Sequence, residues 1–294
     1  MSQEHRFGGD WTEEKLQRLE KYLSAYTNAL QNQPFKIAYI DAFAGSGYIK
    51  TQQVTDDEFN LFEDLTDVDN RQYLEGSAIR ALRVTPPFDS YIFIEKSIQR
   101  VQDLEKLKES FPDKKGKIKI VNQDANEFLI NLCTKRNWKN HRAVLFLDPY
   151  GMQVEWPTIE AIAKTEAIDL WYNFPLGVAV NRMLTKNGQI SRDWENKLDR
   201  LFGSHDWNEK FYQETAQKEL FGKISRIQKV GNFDSIQNYL LDRLKSIFAG
   251  VAENPLPLCN SKKNPLYLLC FAVSNRSEKA RELAMKFARY ILKR

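Results

Sequence analysis

The sequence predicts an open α/β sheet, mostly parallel, that ends in an antiparallel hairpin and carries a helical insertion. Three observations support this. Short apolar runs alternate with helical spacing through residues 1–180, the pattern of βαβ units. Four of those runs end in a carboxylate, at Asp41, Glu95, Asp124 and Asp148, and open parallel sheets bind ligands beyond the carboxyl ends of their strands. Near the C-terminus, 251–258 and 266–273 are apolar runs separated by the polar turn Ser261-Lys-Lys-Asn264. Residues 1–180 and 250–294 therefore read as one α/β domain, 181–249 as a mostly helical insertion, and 51–75 as an acidic loop.

Composition narrows the function. At 294 residues the chain is long enough to bury a full core. It has no apolar run near the roughly 18 residues of a membrane span and no signal-peptide pattern at its start, so a soluble cytoplasmic protein is expected. Cys133, Cys259 and Cys270 lie apart among apolar neighbours, and His5, His141 and His205 form no cluster, so neither a disulfide framework nor a metal site is expected. The net charge of +4 conceals an asymmetry: 262–294 holds nine Lys/Arg against two acids, whereas Asp56 to Glu75 holds eight acids and only Arg71 as a base. The basic tail suits phosphates and the acidic loop does not.

In chain order, Asp10 or Thr12 caps a helix whose apolar stripe is Leu16, Leu19, Leu23, Tyr26 and Leu30, stopped by Pro34. Ile37 to Ile40 form the first strand, Asp41 ends it, and Gly45 and Gly47 permit a turn that a bulky ligand can approach. The dinucleotide-dehydrogenase fingerprint requires a third glycine at position 50, which is Lys50. The long stretch 51–75 sets Phe59, Leu61, Phe62 and Leu65 among its acids, as a cover over a ligand or a partner surface would. A helix follows at 76–83, then the strand Tyr91-Ile-Phe-Ile-Glu95 and a helix at 97–110. A carboxylate at the end of this second strand can accept both hydroxyl protons of an adenosine ribose; a helix-terminal acid facing the dipole is the competing reading.

The third strand, 117–121, leads to Asp124, Ala125 and a helix with Phe128, Leu129, Leu132 and Cys133 inward. The fourth, 141–147, is continuously apolar after its first two residues, as a strand covered on both faces requires, and ends in Asp148-Pro149-Tyr150-Gly151. A carboxylate and a neighbouring carbonyl at such a strand end can together hold the two protons of an amine, and a tyrosine beside them offers a stacking face. The same four residues are also ordinary turn chemistry. The fifth strand ends in Asn173-Phe174-Pro175, a second wall for the same pocket. Trp194, Leu198, Leu201, Phe202, Trp207 and Phe211 give the insertion helical spacing. A last helix turns Leu283, Phe287 and Ile291 inward and carries Lys279, Arg281, Lys286, Arg289, Lys293 and Arg294.

Two motifs carry resemblances. Asp41-x-Phe43-x-Gly45-x-Gly47 resembles motif I of the S-adenosylmethionine-dependent methyltransferases, in the Phe43 variant found among enzymes of base amino groups. Asp148-Pro149-Tyr150-Gly151 resembles their motif IV, with one proline where adenine-N6 enzymes have two, and is closer to the Asp-Pro-Phe-Gly form of tRNA N2-guanine dimethyltransferases. With Phe7-Gly-Gly-x-Trp-Thr-x-x-Lys-Leu16, Tyr22-Leu-x-x-Tyr26, Gly76-Ser-Ala-x-Arg-Ala-Leu82, Phe93-Ile-Glu-Lys96 and Pro265-Leu-Tyr-x-Leu269, the chain resembles the three-Cys-motif partner protein family, TcmP. The motifs span nearly the whole chain in order.

That resemblance implies a bacterial cytoplasmic protein of class I methyltransferase-like Rossmann fold, partnered by a three-Cys-motif protein. It implies an S-adenosylmethionine site built from Asp41, Phe43, Ala44, Gly45, Ser46, Gly47, Glu95, Lys96, Asp124 and Ala125. It places catalysis on Asp148, Pro149, Tyr150 and Asn173. In methyltransferases the third acid accepts from the adenine amino group, and the N–H that follows it reaches the ring nitrogen. Two functions stay open: methyl transfer to an exocyclic amine of RNA or DNA, with the basic C-terminal helix as the nucleic-acid contact, or a non-catalytic docking or nucleotide-sensing role beside the three-Cys protein. A dinucleotide oxidoreductase is disfavoured by the failed glycine spacing.

Overall fold

The structure, a computed structural model, describes residues 10–50, 73–219 and 222–293. Most of the acidic loop, 51–72, and the Phe7-Gly8-Gly9 motif lie outside the described residues. Helix α1 (Asp10–Leu30) precedes β1 (Lys36–Asp41), and α2 (Ser77–Arg83) leads to β2 (Ser90–Ile94). Then α3 (Ile98–Ser110), β3 (Ile118–Val121), α4 (Ala125–Lys135), β4 (His141–Leu147), α5 (Trp156–Lys164) and β5 (Ile168–Phe174) follow in strict alternation. The remainder comprises α6 (Arg192–Phe202), α7 (Phe233–Lys245), β6 (Gly250–Val251), β7 (Leu256–Cys259), β8 (Pro265–Val273) and α8 (Glu278–Ile291).

The main sheet runs β3-β2-β1-β4-β5-β8, with β6 and β7 side by side on the outer edge of β8. The first five strands are parallel and β8 enters antiparallel against β5, pairing Phe271 with Trp171. The order 3-2-1-4-5 with an inserted antiparallel strand is the class I methyltransferase-like arrangement of a Rossmann sheet, and it puts the topological switch point between β1 and β4.

Burial explains why these runs became strands. All seven residues of β5 are buried, as are five of the six of β1, so their side chains alternate between two apolar layers rather than between core and water. On one face Ile40, Leu145 and Leu170 pack with Leu129 of α4, Ile159 of α5 and Leu240 of α7. On the other, Tyr39, Phe146 and Trp171 pack with Tyr22 of α1, Leu82 of α2, Leu104 of α3 and Ala288 of α8. The turn after β5 sits hard against β8: a Cβ at Gly177 would lie 2.0 Å from the carbonyl oxygen of Pro265, so no side chain is accommodated there.

The segment 181–249 departs from the helical expectation. After the short helix Trp207–Phe211 the chain forms an antiparallel hairpin, Tyr212–Glu219 with Gly222–Lys229, before α7 resumes the helical pattern. The apolar spacing that predicts helix ends at Phe211; beyond it Thr215, Ile224 and Ile227 are β-branched residues that favour extended backbone.

At the opposite end of β5 from the acids, Asp169 is buried with its Oδ2 accepting a 2.6 Å hydrogen bond from Tyr22. Burial pushes its carboxyl up to about 7, against the opposing influence of the Tyr22 bond and of Arg142. A carboxyl whose folded pKa is raised binds more protons folded than unfolded, so this group's contribution to stability falls as pH rises from the ordinary carboxylate range through 7. Asp169→Asn keeps an acceptor for Tyr22 and removes the charge. Its melting temperature, relative to the parent chain, is expected to rise at pH 8 and to gain less at pH 5; a gain independent of pH would contradict the assignment.

Candidate functional site

The turn after β1 is pinned between both neighbouring strands. Ala42 N–H donates to Phe146 O of β4 at 3.1 Å and Ala44 N–H to Ile94 O of β2 at 3.0 Å. Gly45 (φ +62°) and Gly47 (φ +80°) adopt left-handed backbone that side-chained residues resist. A Cβ added at Gly45 would meet nothing within 4 Å, whereas one at Gly47 would press on Leu107 at 3.2 Å. The turn thus opens outward at Gly45, beside Ser46, and is packed at Gly47.

Glu95, buried at the end of β2, closes the other side. Its Oε2 accepts from Gly45 N–H at 3.1 Å and its Oε1 from Ser97 N–H at 2.8 Å. Each carboxylate oxygen can accept twice, so both retain a free lone pair for two hydroxyl donors in one plane. Asn122 holds the preceding backbone, donating to the carbonyls of Glu95 and Lys96 at 2.9 Å each. Asp124 is the N-cap of α4: its Oδ1 accepts from Asn126 N–H at 2.9 Å and Glu127 N–H at 3.4 Å. Its Oδ2 faces the Lys96 ammonium at 3.7 Å, and Ala125 starts the helix behind it. Gly45, Glu95 and Asp124 therefore occupy the ends of β1, β2 and β3, an arrangement that fits an adenosine-bearing cofactor.

Asp41 lies beneath this surface. It is fully buried, receiving Tyr39 Oη–H at 3.1 Å and Phe43 N–H at 3.4 Å, together with a Ser77 hydrogen bond. Burial pushes its carboxyl up to about 6, the nearby charge of Asp148 adding to the rise and the Ser77, Tyr39 and Phe43 bonds opposing it. The geometry gives Asp41 the job of holding the turn from below.

On the other side of the switch point, Asp148 follows β4 with both oxygens engaged. Asn173, fully buried near the end of β5, donates from Nδ2 to Oδ1 at 2.7 Å. Lys15 of α1 places its ammonium 2.5 Å from Oδ2. Lys15 is 3% exposed, and its Nζ stands 5.2 Å from the Trp11 ring centroid and 6.0 Å from that of Phe146. Trp11 stacks on Tyr267 at 5.1 Å and 22°. Burial lifts the Tyr267 phenol to about 12, with Asp148 and Tyr150 contributing. Among the described residues, the buried Asn173 Oδ1 finds no hydrogen-bond partner. Pro149 is buried, and Tyr150 projects outward at 62% exposure with the Arg100 guanidinium 5.2 Å over its ring. Arg100 also lies 4.0 Å from Glu95 Oε2, linking the two halves of the crevice.

Of the site residues expected from sequence, the glycine turn, Glu95, Lys96, Asp124, Asp148, Tyr150 and Asn173 converge on one sheet edge. Lys15, Tyr267 and Arg100 were not expected there. Lys15 left a signal: Lys15, Leu19, Tyr22 and Tyr26 share one helical face, all buried, and a lysine on such a face must find a charge or acceptor. Its partner lies 133 residues away, beyond the reach of local pattern.

Comparison with known proteins yields structural likenesses alone: no family model and no curated protein matches the chain. Protein LPL1258 of Legionella pneumophila superposes with a TM-score of 0.49 at 14% identity, over 94% of this chain and 90% of that one. A putative methyltransferase, yhhF, of Escherichia coli gives 0.32 at 15% identity, over 71% and 85%. Magnesium protoporphyrin IX methyltransferase of Synechocystis with bound SAM gives 0.31 at 11%, over 73% and 78%. These superpositions are too loose to transfer chemistry, and the fold assignment stands on strand order and direction. Among the described residues no helix is long and apolar enough to cross a membrane, and no group of metal-ligating side chains is assembled.

Lys15→Met strands the Asp148 carboxylate and is expected to cost about 1–3 kcal/mol of unfolding free energy. Adding Asp148→Asn should recover part of that loss in a denaturant titration, because the charge needing a partner is gone; strictly additive losses would show the pair to be uncoupled.

Proposed function

We propose that this chain is an S-adenosylmethionine-dependent methyltransferase acting on an exocyclic amino group of a nucleic-acid base, with a three-Cys-motif protein as its partner. One observation carries the reading: at the end of β4, beside the Gly45–Glu95–Asp124 crevice, Asp148 already holds an amino group, that of Lys15. A carboxylate positioned to accept from one nitrogen donor can accept from another.

In this reading Glu95 takes the ribose hydroxyls on its remaining lone pairs and Asp124 Oδ2 the adenine amino group, once Lys96 swings aside. The cofactor supplies a methyl group on a positively charged sulfur. Tyr150 offers its exposed face to the base, and the Arg100 cation above that ring is placed to meet the phosphate of the same nucleotide. The incoming amine displaces the Lys15 ammonium from Asp148 Oδ2. Asp148 accepts one amine proton and the unpartnered Asn173 Oδ1 is available for the other, which turns the nitrogen lone pair away from both acceptors and toward the cofactor side of the switch point. Asp148 stabilises the cation formed on transfer, and its carboxylate is the acceptor for the proton that the methylated nitrogen then loses.

A second reading is favoured by the same contact. If Lys15 never leaves, the amine seat is permanently filled and the domain binds cofactor only to dock on the three-Cys-motif protein. Titration calorimetry with S-adenosylmethionine, followed by radiolabelled methyl transfer to bulk RNA and bulk DNA, separates the two. Saturable binding is expected, weakened about tenfold or more by Glu95→Gln or by Asp124→Asn, which keeps the helix cap. Asp148→Asn is expected to preserve binding and abolish transfer. Binding without transfer to either polymer favours the docking reading, and absence of binding rejects both.

A further inference from the structure

The exposed face of α8 bears a row of cations at constant spacing. Lys279 and Lys286 of α8, and Lys293 two residues past its end, are all exposed and recur every seven residues, the two on the helix being two turns or about 10.5 Å apart. Leu283, expected to face inward, and Tyr290 instead run beside them at the same interval, 42% and 76% exposed, because Ala284, Met285, Ala288 and Ile291 form the face that packs on the domain. Among the described residues these three lysines and Arg289 make no ion pair, although other surface cations do, as in Lys106–Asp103, Lys245–Glu253 and Arg276–Glu166. Glu278 and Glu282 are the only acids on the helix itself.

One end of the row is fixed to α1, the helix that carries Lys15. Arg18 of α1 donates to the carbonyls of Ile291 and, at 2.6 Å, Lys293, clamping the end of α8 against α1. Arg18 is three residues from Lys15, so the end of α8 is fastened to the same helix that supplies the residue on Asp148. From there the lysines descend along the flank of the domain.

We propose that this face of α8 is the track for the phosphodiester backbone of a single nucleic-acid strand whose target base enters the Asp148 crevice. The claim that the strand enters there rests on the reading given under Proposed function; the claim that it lies on α8 does not. Unpaired lysines at regular spacing suit a polymer of regularly spaced phosphates, and an exposed tyrosine between them supplies a stacking platform. An acidic protein segment shares the charge but has no base to stack on the exposed Tyr290 ring.

The test is fluorescence anisotropy of a labelled single-stranded oligonucleotide against the full chain at several salt concentrations. Replacing Lys279, Lys286 and Lys293 together by Gln should flatten the slope of log affinity against log salt by about 2, three phosphates at roughly 0.7 each. Tyr290→Ala should weaken binding about tenfold with the slope unchanged. All four positions are exposed, so thermal melting and S-adenosylmethionine titration of the variants should match the parent. An unchanged slope, or binding of polyglutamate but not of oligonucleotide, overturns the proposal. Oligonucleotide binding along α8 in a protein that fails to bind cofactor would instead reject the methyltransferase reading and leave the track standing.

Discussion

The contact between Lys15 and Asp148 is the constraint on which the upper edge of the molecule depends. A lysine ammonium with almost no access to water is costly unless a charge or acceptor meets it, and Asp148 is the carboxylate that does. Meeting it requires the first two turns of α1 to lie across the tip of β4, which in turn brings Trp11 onto Tyr267 from the other end of the chain. Asn173 extends the same network to β5. Three elements remote in sequence are thereby registered to within hydrogen-bonding distance at one point of the sheet edge.

The site is divided by the switch point between β1 and β4, and its halves are built differently. On the β1–β2–β3 side the acids are tied down by backbone N–H groups, from Gly45 and Ser97 onto Glu95 and from Asn126 and Glu127 onto Asp124. Backbone donors cannot leave, so these carboxylates are held in fixed orientation with lone pairs to spare. On the β4–β5 side Asp148 is held by two side chains, one of them the flexible four-carbon arm of a lysine. A side-chain donor is exchangeable where a backbone donor is not. Rigid recognition on one side and an exchangeable partner on the other is what a site needs if it binds a cofactor tightly and a second amine transiently.

Much of this was readable in advance because the relevant signals are local. A parallel strand buried on both faces is a continuous apolar run, and the acid that follows it marks the carboxyl edge, so Glu95, Asp124 and Asp148 declared their places from spacing alone. Element ends moved by a residue or two, as hydrogen-bonded termini do. What was not readable is what depends on tertiary partners. Asp41 shares the pattern of the other acids but is roofed over by its own turn. Lys15 and Tyr267 enter the site from opposite ends of the chain. The hairpin within 181–249 follows aromatic residues whose helical spacing simply stops at Phe211.

An adenosine should lie across the ends of β1, β2 and β3. A crystal structure of the chain with S-adenosylhomocysteine should place both ribose hydroxyls on Glu95 and the adenine amino group on Asp124 Oδ2, with the sulfur turned toward Asp148. A ribose bound away from Glu95, or a sulfur on the far side of the glycine turn from Asp148, would contradict it.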